Sequence, residues 1–143
     1  MSPLRLLPLS LLLACGPLST LEDQRAIWDS QGLDDYSYVL RRGCFCPEEY
    51  TSPVQITVIG DAVSSAVYAE DSALAGEPVV DDYETMTIDD LFDFTASAIT
   101  EADKIEIEYD ATYGYPSSIQ IDYQLMAADD ELSVSASDLL PAD

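Results

Sequence analysis

Three kinds of residue in this 143-residue chain carry chemistry worth weighing: three cysteines, 28 carboxylates set against five basic side chains, and nine tyrosines. The chain has no histidine, so the side chain that most often serves as a general base near neutral pH is missing. The cysteines divide by position. Cys15 closes the run Leu12-Leu13-Ala14-Cys15-Gly16, which reads as a lipobox: a leucine, a tolerated residue, a small residue, then the thiol that takes a diacylglycerol. Ahead of it stand Arg5 and an apolar stretch from Leu6 to Ala14, broken by Pro8 and Ser10. A charged start followed by a short apolar run is the pattern of a secretory signal. It is far shorter than the roughly 20 apolar residues a bilayer span needs. Residues 1–14 are therefore expected to be a signal peptide, 15–19 a lipidated tether, and 20–143 one domain. The expectation is a bacterial lipoprotein of the cell envelope, on the periplasmic or surface face. Gly16, rather than aspartate, after the cysteine favours the outer membrane over the inner.

Reserving Cys15 for lipid leaves Cys44 and Cys46. An exported protein meets an oxidising compartment, where thiols pair. A disulfide needs Cα atoms roughly 4.4 to 6.8 Å apart, and residues two apart on an ideal strand lie near that upper edge at about 3.3 Å per step. Gly43 and Pro47 allow the kink that closes the gap. A turn-locking disulfide is the leading reading. Thiol–disulfide exchange, with Arg41 and Arg42 as the nearby cations that would lower a thiol pKa, is a lesser one. Pairing between chains stays open. Two thiolates without histidine make half a zinc site at most.

Asp129-Asp130-Glu131 falls in a predicted turn, and Asp81-Asp82 ends an acidic stretch. No cofactor is expected; calcium, which takes six to eight oxygens in flexible geometry, is the alternative that these clusters leave open. No EF-hand spacing is present, and aspartates in turns equally cap backbone amides. With so many acids, carboxylate pairs of the glycosidase kind arise by chance. No catalytic set emerges, and the expectation is a protein that is not an enzyme.

Tyr113 and Tyr115 flank Gly114 just before Pro116. Exposed tyrosines suit interfaces, so the two are candidates for an interaction surface, or else parts of a rigid turn. Tyr36, Tyr38, Tyr109 and Tyr123 are expected to fill the sheet, with hydroxyls reaching water.

The formal charge is −23, and loss of Arg5 with the leader leaves −24. Such a balance argues against nucleic acid and against adsorption on anionic headgroups. It permits a basic protein partner, a divalent cation, or solubility alone. Inhibition of a basic hydrolase is a narrower form of the first. Membrane contact is expected through the lipid anchor.

The elements that must position these residues follow from periodicity. Thr20 to Asp23 reads as a helix start, with Leu21, Ile27 and Trp28 on the apolar side and Gly32 as the C-cap. Tyr36, Tyr38 and Leu40 alternate with polar neighbours as a strand. Val54–Ile59 and Ala62–Tyr68 read as a hairpin about Gly60-Asp61. Glu70 to Asp82 reads as a surface loop. Thr87 opens a second helix carrying Ile88, Leu91, Phe92, Thr95 and Ile99. Ile105, Ile107 and Tyr109, then Ile119, Ile121, Tyr123 and Leu125, mark two more strands, and Leu132, Val134 and Ala136 a short last one. The fold expected is α+β: a two-layer antiparallel sheet of about six strands with two amphipathic helices on one face, in α-βββ-α-βββ order.

Placed on that frame, Trp28, Asp35-Tyr36-Ser37-Tyr38, Cys44-Phe45-Cys46-Pro47, Val54 to Gly60, Thr87 to Phe92, Gly114 to Ile119 with Asp122, and Asp129-Asp130-Glu131 resemble, in order, a family of small bacterial lipoproteins known only as a domain of unknown function. The resemblance implies a secreted, lipid-bearing, single-domain protein and brings no activity with it.

Overall fold

A computed structural model describes residues 16–126 and 131–142 of the chain. The helix α1 (Pro17–Gln31) precedes the strand β1 (Tyr36–Gly43), a single turn α2 (Glu48–Thr51), and the hairpin β2 (Val54–Ile59) and β3 (Ala62–Tyr68). The helix α3 (Ile88–Glu101) then leads into β4 (Lys104–Tyr109), β5 (Pro116–Asp122) and β6 (Glu131–Pro141). The strands form one antiparallel sheet in the order β3-β2-β1-β6-β5-β4. Each half of the chain contributes a three-strand meander, and the halves join where β1 meets β6. The α+β fold read from the sequence, with helices on one face of a six-strand sheet, is the fold observed.

One face of the sheet is covered. Tyr36, Tyr38 and Leu40, with Val54, Ile56, Val58, Ile119, Ile121, Val134 and Ala136, meet Leu21 and Trp28 of α1 and Ile88, Leu91, Phe92 and Ala98 of α3 in a single core. Burying side chains of this size, at roughly 1.5–3 kcal/mol each, is the main force holding the layers together. The start of α3 is fixed twice over. Thr87 accepts from the Asp90 amide (3.1 Å) and the Thr87 amide donates to the Asp90 carboxylate (3.0 Å), a reciprocal cap. The Tyr36 hydroxyl accepts from the Ile88 amide at 2.8 Å, and the Tyr38 hydroxyl donates to the Met86 carbonyl. These two tyrosines therefore do not send their hydroxyls to water, as expected from sequence; they bind the backbone entering α3. Burial pushes both of their pKa values up.

Four other expectations shift. The helix α1 begins at Pro17, with Gly16 as its N-cap, and Thr20 lies inside it. Proline suits that first turn because its missing N–H would have no helical partner. Of residues 15–19, read from the sequence as a tether, Pro17–Ser19 are helical. Ile27 is 43% exposed rather than core. The stretch from Glu70 to Asp82 is not only surface: Leu74, Val79 and Val80 pack on the core, with Tyr83 and Met86 buried beyond it. Finally, β5 stops at Asp122, and β6 runs on past Ala136 to Pro141 through a bulge where Asp138 adopts φ 55 and the β1–β6 register shifts. That bulge reverses the phase of alternation, so Leu139 points inward after Val134 and Ala136. The expected turn over residues 127–130 lies outside the described residues.

Candidate functional site

Among the described residues, no helix covers the other face of the sheet. The side chains of that face follow from the strand registers. Glu108 lies opposite Ser118, which lies opposite Ser135, which lies opposite Arg41. One row on, Glu106, Gln120, Ser133 and Gly43 line up in the same way, followed by Lys104, Asp122 and Glu131. The centre of this face combines small hydroxyl side chains with Val39, which is buried between Gln55 and Ser137, and its β4 edge carries carboxylates. Serines at these positions leave the backbone plane close to whatever meets it.

At the end of the sheet where β1 finishes, the face closes into a groove of about 460 Å³. Gly43 and Ser133 are its floor; the Ser133 hydroxyl points at the Gly43 carbonyl, and a Cβ on Gly43 would collide with that hydroxyl. Glu106, Asp122, Glu131 and Lys104 line the sides, and Phe45 forms a wall. Asp122 Oδ1 is shielded from solvent and has no hydrogen-bond partner among the described residues. Lys104 approaches Glu106 at 3.7 Å, both largely exposed, so the pair is weak.

The wall is held covalently. Cys44 and Cys46 are disulfide-bonded with Cα atoms 5.2 Å apart. The strand β1 has ended at Gly43, so the pair is free of ideal strand spacing, and Pro47 follows as the N-cap of α2. Tying both cysteines together on one side leaves the residue between them only the other side. Phe45 is accordingly 94% exposed. An aromatic ring held this far into solvent gains nothing for the fold.

The model of a family of unknown function, DUF6174, matches residues 20–141. The chain belongs to this family. No curated protein and no solved structure matches it. The DUF6174 match covers the whole sheet, all of α3 and all but the first three residues of α1, and it leaves the activity to be argued from the face just described.

The remaining sequence candidates separate across this DUF6174 domain. Tyr115 is 3% exposed and packs edge-on against Trp28, with ring centroids 6.4 Å apart. Tyr113 stacks on Tyr115 at the same separation and is half-buried. The pair is therefore a packed turn, with Tyr115 in the core rather than at a surface. Gly114 explains why: at φ 84 it lets the turn pass within van der Waals contact of the Gln24 carbonyl and Ile27 on α1. The turn between β4 and β5 is also at the opposite end of the sheet from Glu131, about 20 Å away along β5. Glu131 lines the groove, whereas Asp129, Asp130 and Cys15 lie outside the described residues. Among the described residues, no three His, Cys, Asp or Glu side chains group so as to hold a metal ion, Asp81 and Asp82 included.

The two arginines expected to lower a thiol pKa are engaged elsewhere. Arg41 pairs with Asp71 at 2.9 Å; Arg42 donates to the Glu84 carbonyl at 2.6 Å and lies over the Tyr83 ring. Arg25 pairs with Asp93 at 2.7 Å. Each basic side chain among the described residues has an acidic neighbour, and the excess of carboxylates stays uncompensated. The residues that sequence reasoning missed are Phe45, Glu106 and Asp122. Their signal was present: a large apolar residue locked between two cysteines, and acids on the outward phase of two adjacent strands.

Proposed function

We propose that the chain is an exported, lipid-anchored envelope module without enzymatic activity, which presents the uncovered, acid-rimmed sheet face to a basic protein partner. The observation that carries this reading is that face itself: a serine-rich centre, a carboxylate edge, and no helix over it among the described residues. A surface so charged attracts a basic partner from a distance and makes the encounter sensitive to salt. The lipobox at Cys15 supports the location, and the absence of histidine together with the lack of a catalytic constellation in the sequence supports a binding role.

The test has two readouts. Mass spectrometry of the protein purified from membranes should find acyl chains on Cys15. The protein immobilised from detergent should retain basic envelope proteins at low salt and release them as salt rises. Ser118→Arg and Ser135→Arg, placed on the open face, should abolish that retention, while an arginine at Ser97 on the exposed side of α3 should not. Retention indifferent to salt and to both face variants would refute the proposal.

A further inference from the structure

Phe45 is not the only apolar side chain displayed at its end of the sheet. Leu125 and Met126, which follow β5 there, are 60% and 99% exposed. The Leu125 amide is held by the Asp103 carboxylate at 3.3 Å, just before β4 begins. The course of α1 decides what this end faces. Trp28 lies against Asp89 and Arg25 binds Asp93, so α1 runs antiparallel to α3. The helix α3 finishes next to the first residue of β4, at the Phe45 end. The helical rise from Arg25 back to Pro17 covers about 12 Å, as does that from Asp93 on to Glu101. The start of α1 therefore lies at this same end, where Leu18 is 41% exposed. Cys15 stands two residues before Pro17, a leash of about 7 Å when extended.

We infer that the Phe45 end of the domain rests on the lipid surface, with Phe45, Leu125 and Met126 entering the boundary between headgroups and acyl chains. The inference rests on the lipid-anchor reading of Cys15. An anchor this short brings that end against the bilayer, and burying three apolar side chains there removes them from water. The carboxylates of Glu106, Asp122 and Glu131 beside Phe45 repel anionic lipid and suit the ammonium of a zwitterionic headgroup, next to an aromatic face that favours cations. Contact is thus with a zwitterionic leaflet, and it leaves most of the open sheet face directed away from the bilayer.

The experiment reconstitutes the full-length, membrane-purified protein into vesicles of phosphatidylethanolamine and phosphatidylcholine that carry brominated acyl chains. Trp28 is 3% exposed in the core and provides the unquenched background in wild type. Phe45→Trp should lose roughly half of its added emission to shallow bromines, consistent with a depth of about 5–10 Å. Met126→Trp should behave alike, and Ile59→Trp, at the opposite end of the sheet, should behave as wild type. Replacing part of the lipid with phosphatidylglycerol should reduce the quenching. Acylated protein with equal, background quenching at residues 45, 126 and 59 overturns the inference and leaves the anchor reading standing. Protein without acyl mass on Cys15 overturns both. An indole introduced by Phe45→Trp that is shielded from acrylamide in native envelopes, yet unquenched by brominated lipid, would put a protein on this side chain and likewise overturn the inference.

Discussion

Two aromatic turns of this molecule are built from similar residues and have opposite fates. In Tyr113-Gly114-Tyr115-Pro116 the glycine allows close approach to α1, and Tyr115 ends 3% exposed against Trp28. In Cys44-Phe45-Cys46-Pro47 the disulfide fixes the flanking residues instead, and Phe45 ends 94% exposed beside an acidic groove. A turn that can lean on a helix commits its aromatic ring to stability. A turn locked by its own covalent bond does not need the ring for folding, and what it displays is available for contact. Aromatic content in a turn therefore says little about function until the means of holding the turn is known.

The comparison can be broken by mutation, and the largest effect belongs to the packed turn. Trp28→Ala removes the ring against which Tyr115 and Tyr36 stand, and should lower unfolding stability by about 3–5 kcal/mol in a denaturant titration. A loss below about 1 kcal/mol would mean that this end is not packed as described. Gly114→Ala forces a Cβ to within 2.8 Å of the Gln24 carbonyl at a positive φ, and should cost about 2 kcal/mol. Tyr36→Phe leaves the buried Ile88 amide without its acceptor and should cost about 1–2 kcal/mol, with β-sheet circular dichroism preserved.

The buried tyrosines also predict a pH dependence. Burial raises Tyr115 from 10.0 to about 12, and raises Tyr36 and Tyr38 as well. A folded-state pKa above the unfolded one means the native state holds its protons longer, so stability is intact below pH 10. It should fall as pH rises from about 10 through 12, seen as a falling denaturation midpoint and late tyrosinate absorbance. A midpoint flat across that window would contradict the burial of these hydroxyls.

Much of the covered face was legible in the sequence. The β2–β3 hairpin matches its reading because Val54, Ile56 and Val58 alternate inward along β2 and Gly60-Asp61 take the φ 58 and φ 61 that a tight turn demands; in β3 a register shift opposite Thr57 and Val58 breaks the alternation at Ser64-Ser65. Thr87 was readable as a helix start because a cap is a local signal. The losses come from places where a distant contact decides. The bulge at Asp138 inverts the alternation of β6, so a period-two reading stops at Ala136. Tyr115 reads as surface or core with equal right until Trp28 is beside it. The groove is assembled from Gly43, Glu106, Asp122 and Glu131, which only the pairing of β1, β6, β5 and β4 brings together; no spacing along the chain announces it.

The smallest predicted stability change is the most informative. Phe45→Ser should leave the denaturation midpoint within about 0.5 kcal/mol of wild type, while the acylated variant, reconstituted in zwitterionic vesicles, should leave that end of the domain more open to protease than in wild type. Thermal or denaturant unfolding of Phe45→Ser and Tyr115→Ser, measured side by side, tests the contrast directly: an unchanged midpoint for the first and a large loss for the second is the predicted result. Comparable losses in both would show that Phe45 holds the fold together, and would contradict the account of it as a displayed side chain.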